Sequence, residues 1–198
     1  MVSAPSGAGK STILARALEA LPDVRFSVSH TTRPPRAGEQ DGVEYHFVRR
    51  PAFEELLRSE RFLEHAEVHG HLYGTCWSEH EEAQRAGVDL VLDLDVQGAA
   101  QLRQKLPDAV TVFVLPPSFD VLSGRLRARG QDDDATVRRR LKGAREELSR
   151  FGEYDYAIVN EDLERSVEAL TSVIRSARCR TSRLVRTAQE ILETFQVE

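Results

Sequence analysis

Cysteine is scarce in this 198-residue chain: Cys76 and Cys179 are the only two, with no C-x-x-C pair and no His/Cys cluster. That excludes a disulfide framework and the usual zinc-ribbon spacings, and it points to a reduced, cytoplasmic compartment. His65, His69, His71 and His80 show no metal-ligand spacing, so no structural metal is expected. No apolar run approaches the ~20 residues of a membrane span, so no membrane partner is expected. No signal peptide is expected either, because the sequence opens directly on a glycine-rich motif. Positive charge is not in excess: 27 Lys and Arg against 32 Asp and Glu leave a net charge of −5. This argues against bulk nucleic-acid binding, while leaving cations enough for local phosphate grips. There is no internal repeat and no low-complexity tract. The length suits one compact domain that buries roughly 70% of its unfolded surface without staples.

What is present is an alternation of strands and helices. Ile13, Leu14, Ala17, Leu18 and Leu21 recur at helical period before Pro22. Residues 88–95, 111–115 and 156–159 are nearly continuous in β-compatible apolar residues, as buried parallel strands are. Helical patterns lie at 98–105, 118–129 and 136–150, and a last amphipathic helix from about Asp162 repeats Leu163, Val167, Leu170 and Ile174. Further strands are predicted at 25–30, 43–48 and 62–68, with a short helix over 52–58. HGHLYG then turns the chain back. Ser78 and Glu81 have capping-box spacing, which predicts a helix from there to Gly87. The alternation predicts a parallel α/β sheet. The hairpin-like stretch between 31 and 75 breaks it and reads as an inserted lobe.

The opening MVSAPSGAGKST carries the phosphate-loop pattern G-x-x-x-x-G-K-[ST], with Ala4 in the place of the first glycine. Such a loop gathers backbone N–H groups and a helix N-terminus around phosphates. Lys10 would reach the transferred phosphate and the Ser11 hydroxyl would ligate Mg²⁺. Gly7 and Gly9 allow close approach. Ala4 costs little at negative φ and more at positive φ. A Gly/Ser turn before an ordinary helix is the alternative. Only Met1 to Ser3 precede Ala4, which predicts a short first strand.

SAPSGAGKST is followed in order by SVSHTTRPPRAGEQDGVEYHFV, FLEHAEVHGHLYGT, DLDVQG, VLPPS, RLRARGQDD and YDYAIVNEDL. Together these resemble the bacterial guanylate kinases along essentially the whole chain. Members of that family commonly carry Ala at the first loop position. They usually have several more residues upstream, which implies an abbreviated first strand or a shortened start here. The resemblance implies a phosphate-loop NTPase fold: a parallel sheet flanked by helices, with an inserted monophosphate-binding lobe and a helical lid. The whole chain would form one domain, its core at about 1–32, 78–125 and 155–198, its GMP lobe at about 33–77 and its lid at about 126–154. The implied activity is transfer of the γ-phosphoryl group of ATP to GMP with Mg²⁺, giving ADP and GDP.

Carried over residue by residue, the resemblance assigns Ala4, Pro5, Ser6, Gly7, Ala8, Gly9, Lys10, Ser11, Thr12 and Asn160 to ATP. Arg33, Arg36 and Tyr45, assisted by Ser29 and Tyr73, would hold the GMP phosphate, as guanidinium forks suit its oxygens. From the residues alone, TTRPPR is equally a solvated loop or a polyproline peptide. Guanine shows two donors, N1–H and the N2 amino group, beside the O6 acceptor. A buried carboxylate would therefore select it over adenine. Glu64 and Asp95 match the guanine-side acids, and Thr75 would donate to O6. Asp93, on the same strand face as Asp95, is assigned with Ser11 to the Mg²⁺ neighbourhood. Arg129 and Arg140 are carried over, with Lys10, as the catalytic cations. The triplet Arg138 to Arg140 and the i, i+4 pair Arg125 and Arg129 also read as solvated helix faces, and Asn160 as a helix cap.

Val96 stands where the family often has Trp, and Cys76-Trp77 departs from the family's usual continuation after Y-G-T. The basic stretch from Arg178 to Arg186 is either an oligomer contact or a solvated face, so a homo-oligomer is one expectation. Two rivals remain: a guanylate-kinase-like module that binds phosphopeptides without catalysis, and a related kinase with a sugar-phosphate acceptor. The intact Lys10, Ser11 and glycines weigh against the first; Glu64, Thr75 and Asp95 weigh against the second.

Overall fold

The computed structural model describes residues 1–68, 70–128 and 134–195. Along the chain run β1 (Val2–Ser3), α1 (Lys10–Glu19), β2 (Val24–Phe26), β3 (His30–Thr31), β4 (His46–Phe47) and α2 (Arg50–Arg58). Next come β5 (Phe62–Val68), β6 (His71–Cys76), α3 (Trp77–Ala86), β7 (Asp89–Val91), α4 (Val96–Lys105) and β8 (Val112–Leu115). The remainder is α5 (Phe119–Ala128), α6 (Asp134–Leu148), a 3₁₀ turn at Phe151–Glu153, β9 (Tyr156–Val159), α7 (Leu163–Arg178) and α8 (Thr181–Glu193).

The core sheet is parallel. β1 pairs with β8 and β8 with β9, while β2 pairs with β7. Val2 joins the two halves: its N–H donates to Leu92 (2.9 Å) and its carbonyl accepts from Leu94 N–H (3.1 Å). The spatial order is therefore β2-β7-β1-β8-β9. β1 is two residues long yet central, because both of its edges are paired. Val2, Ile13, Leu14, Val91, Val114, Ile158 and Leu170 form the buried cluster between this sheet and helices α1 and α7. Met1, Leu63, Leu92, Leu94 and Leu102 fill the opposite side under α4.

A second sheet, in the order β4-β3-β6-β5, stands apart from the first. It is built over Phe53 of α2, whose ring stacks on Phe62 at 4.4 Å. α4 fastens it to the core. Lys105 donates to the carbonyls of Phe62 (3.2 Å) and Leu63 (2.6 Å), and the Gln101 amide exchanges two hydrogen bonds with the His65 backbone.

Several local expectations are corrected. The predicted strand at 25–30 is split, because Ser27 N–H still bonds to the core strand at Val91 while His30 already pairs with β6 of the other sheet. The predicted 43–48 strand shrinks to β4, since Val43 and Glu44 turn back onto the Gln40 carbonyl. HLYGT lies within strand β6 rather than in a turn. Ser78 does not cap α3: Trp77 N–H bonds to the Arg61 carbonyl (3.0 Å), and the helix starts two residues earlier than a Ser78 cap would place it, with Cys76 at the N-cap. Asp162 does cap α7, accepting from Arg165 N–H at 2.9 Å. The helix predicted from about Asp162 ends at Arg178 with Cys179 as its C-cap, and α8 is a separate helix whose residues are all exposed. The basic stretch is largely engaged within the chain. Arg178 and Arg183 pair with Asp89, and Arg180 donates to the Asp108 carbonyl.

Candidate active site

β1 ends beneath Ala4 and hands the chain to a loop that closes on α1. Gly7 and Gly9 sit at φ +92° and +97°, a region that only glycine enters without strain. Ala4 is buried, and its φ is not positive, since Glu60 is the one described non-glycine residue in that region. The alanine therefore carries no backbone penalty. Pro5 and Ala8 are buried with it, Ser6 is exposed, and Ala8 N–H closes a turn on the Pro5 carbonyl (3.1 Å). α1 begins at Lys10 with Gly9 as N-cap and no capping side chain. Its first N–H groups and the exposed Ser11 and Thr12 hydroxyls are thus left to a ligand.

The β7 chain continues to the mouth of this loop. Lys10 Nζ donates to the Leu94 carbonyl (3.1 Å) and pairs with Asp93. Asp95 caps α4 through Gly98 N–H (2.8 Å). Glu64 faces Thr75 across the β5–β6 ladder, next to a register irregularity between Phe62 and Glu64. Glu64 is 4% exposed. Burial pushes its carboxyl up to about 7; a hydrogen bond from Thr75 opposes the shift and Asp95 adds to it. Thr75, fully buried, also shares a 2.9 Å hydrogen bond with Ser29. Glu64, Asp95, Thr75 and Ser29 therefore meet at one place: two acids and two hydroxyls with their remaining capacity unspent.

Arg33, Tyr45 and Tyr73 gather beside them. The Arg33 guanidinium lies 5.4 Å from the Tyr45 ring centroid, and the two tyrosine rings are 5.8 Å apart. Burial, then the negative charge of Asp93, pushes the Tyr45 hydroxyl up to about 12, so it stays a neutral donor. Arg36 is not drawn in: its side chain is exposed, and its backbone is what Glu39 engages, the carboxylate accepting Arg36 N–H at 2.7 Å and the Glu39 N–H donating to the Arg36 carbonyl at 3.1 Å. Asn160 is buried behind the loop with both ends of its amide engaged. Arg140 is half-buried on α6. Arg129 lies outside the described residues.

Four further residues shape the site. Glu39 holds Arg33 (2.8 Å) with one oxygen and Arg36 N–H with the other; a carboxylate six residues on in a Pro/Gly loop was its only sequence signal. Gly98, an isolated glycine inside a helix, was a visible one. Glu79, buried in α3, accepts Val28 N–H (3.2 Å) and so holds the crossing between the two sheets. Glu147 had no signal. Burial pushes this α6 carboxyl up to about 7, with the charge of Asp95 adding to the shift and Lys10 opposing it.

Comparison with known proteins agrees with this fold. The guanylate kinase family model matches residues 1–177. The chain is 48% identical over 185 residues to a guanylate kinase of Alcanivorax borkumensis, covering 93% of this chain and 89% of that one. It is 47% identical over 193 residues to a guanylate kinase of Neisseria meningitidis serogroup A, covering 98% and 94%. The crystal structure of guanylate kinase from Anaplasma phagocytophilum superposes with a TM-score of 0.81 at 34% identity, covering all of this chain and 94% of that one. With its family model, relatives, fold and loop in agreement, the chain belongs to the guanylate kinase family.

Proposed function

We propose that the chain transfers the γ-phosphoryl group of ATP to GMP, giving ADP and GDP. The observation that carries this is the placement of the buried pair Glu64 and Thr75 beside Asp95, one strand-end away from Lys10. Glu64 as a carboxylate accepts the guanine N1–H and N2 amino protons, Thr75 donates to O6, and Asp95 faces the same base. Arg33, Tyr45 and Tyr73 take the GMP phosphate, with Arg36 joining from the exposed loop and Ser29 through Thr75. The loop from Ala4 to Thr12 takes the ATP phosphates. Lys10, with Arg140 and Arg129 from a lid at about 126–154, neutralises charge on the transferred group. No covalent intermediate and no protein base is needed.

Ser11 and Asp93 offer hard oxygen donors for Mg²⁺. No group of three or more metal-ligating side chains occurs among the described residues. A sparse set of this kind fits an ion that keeps its waters and takes substrate phosphates. Bound there, Mg²⁺ would neutralise charge on the phosphate oxygens; Asp93 would orient it and, in its absence, restrain Lys10. We also propose cytoplasmic action, on the unpaired Cys76 and Cys179, and a homo-oligomer, on the exposed Leu184, Ile191, Leu192 and Phe195 near the C-terminus. Light scattering decides the latter.

The direct test is ADP release from Mg-ATP with GMP, dGMP, AMP, CMP and UMP in parallel. GMP should turn over at roughly 1–100 s⁻¹, with AMP at least ~10³-fold behind. Comparable rates on AMP, or no turnover by folded protein, would remove the proposal. Glu64→Ala should erode the GMP-over-AMP ratio, and Lys10→Met should abolish turnover.

A further inference from the structure

Ala8, in the middle of the phosphate loop, is fully buried, and its carbonyl oxygen receives two side-chain donors. Asn160 Nδ2 donates from the β9–α7 turn at 2.7 Å, and Arg125 Nη1 from α5 at 3.2 Å. The second arm of the same guanidinium donates to the Asn160 carbonyl at 3.1 Å, so three separate segments are bound at one point. The Asn160 amide is itself oriented, since the Ala8 carbonyl can only accept and so requires Nδ2 to face the loop; Oδ1 then lies 3.2 Å from the Ser166 hydroxyl, whose shorter bond is to the Asp162 carbonyl (2.7 Å). Gly9 completes the fit. A Cβ there would fall 2.2 Å from Asn160 Nδ2, so the amide can reach Ala8 only because residue 9 has no side chain.

The consequence follows from peptide planarity. The Ala8 C=O and the Gly9 N–H belong to one planar trans unit and point in opposite directions. A carbonyl held inward by two donors therefore holds the Gly9 N–H outward, toward the concave side of the loop where phosphates bind. Glycine at φ +97° resists rotation of this unit poorly. We infer that Arg125 and Asn160 are positioning residues for the phosphate donor, acting through the Ala8–Gly9 peptide rather than by touching the transferred group. Arg125 stands on the helix that leads toward the proposed lid, so it also fixes that helix to the loop. The inference rests on the phosphate loop being the donor site.

The test separates a loop-mediated role from contact with the nucleotide base. Arg125→Met keeps the stem and removes both donors. The inhibition or Michaelis constants of Mg-ATP, Mg-GTP and Mg-bound inorganic triphosphate are compared with wild type. Because the peptide serves the phosphates, affinity should fall by one common factor, about ten-fold, the weight of one charged hydrogen bond. The KM for GMP should hold, the melting temperature should fall by only about 2–4 °C as the tie to α5 is lost, and Arg125→Lys should recover part of the loss. A loss confined to ATP would make Arg125 a base contact and overturn the inference. So would no loss at all, or an equal rise in the GMP KM accompanied by a larger fall in melting temperature. Lys10→Met serves as the separate control. If that variant keeps its turnover, the donor-site reading fails whatever Arg125 does.

Discussion

A methyl group added to Gly98 would lie 2.3 Å from Glu64 Oε2, inside any permitted contact, and 3.3 Å from Asp95 Oδ1. α4 thus packs its bare backbone against the carboxylate proposed to read the base. Gly98→Ala should separate stability from function. Alanine is the better helix former by about 1 kcal/mol, so the melting temperature should hold or rise. Glu64 must swing aside, and the GMP KM should increase at least ~10-fold while that of ATP holds. An unchanged GMP KM would mean that the Glu64 carboxylate is not held where the base binds.

Glu64 also sets a pH dependence. A carboxyl that titrates near 7 in the free protein must lose its proton to accept two donors from guanine. GMP affinity should therefore rise about ten-fold from pH 6 to pH 8 and then level off, with proton release on binding. Glu64→Gln should flatten that component, which distinguishes it from the titrations of Glu147 and of the GMP phosphate. The linkage to folding has the opposite sense. A carboxyl raised above its ordinary 4.5 binds its proton more tightly when folded, so its contribution to stability falls between about pH 4.5 and 7. At pH 8 Glu64→Gln should stabilise the fold, by on the order of 2 kcal/mol. A loss of stability at pH 8 would contradict the desolvated carboxylate.

What the sequence made legible was local. Gly7, Gly9, Lys10 and Ser11 do their work within one loop and one helix start, so spacing alone carries the chemistry. The buried strand at 111–115 was legible too, because a parallel strand covered on both faces is apolar throughout; 156–159 shares that pattern and is a strand, but as the sheet's edge it leaves Tyr156 and Val159 exposed and buries only Ile158. The contacts that build the site are not local: Lys10 meets Leu94 and Asn160 meets Ala8 across 84 and 152 residues. Resemblance supplied the roles of Glu64 and Thr75. It was blind to Glu39 and Glu147, which look like any solvated acid until the fold buries them or gives them a partner. The split of 25–30 was hidden for a related reason. Its residues are uniformly β-compatible, and only the two competing sheets decide which one each residue joins.

Glu39 meets Arg33 through a carboxylate–guanidinium pair of low exposure, and each partner moves the other's titration. The hydrogen bond to Arg33 comes first among the influences that hold the Glu39 carboxyl below its usual range. Its second oxygen fixes the backbone at Arg36. Glu39→Ala should leave both arginines mobile and raise the GMP KM roughly 5- to 10-fold, since ordering them is then charged to binding. A lower KM would instead make Glu39 a competitor for the phosphate.

Asp89 joins α7 to α8. One oxygen accepts from Arg178 at the end of α7 (2.6 Å), the other from Arg183 in α8 (2.7 Å). Burial pushes this carboxyl up, but the two guanidinium groups outweigh it and hold it below 3.8. Its stabilisation is therefore present above about pH 4 and is lost as pH falls through the depressed value. α8 has thirteen residues, all exposed, and a helix of that length is marginal without tertiary anchors. Asp89→Asn should cost about 1 kcal/mol, as partly exposed ion pairs do, and amide exchange should quicken across Thr181–Glu193 ahead of the core. Turnover with GMP should be unchanged, because β7 meets the catalytic mouth at its other end. Equal protection of α8 in the variant would show that something other than Asp89 holds the helix in place.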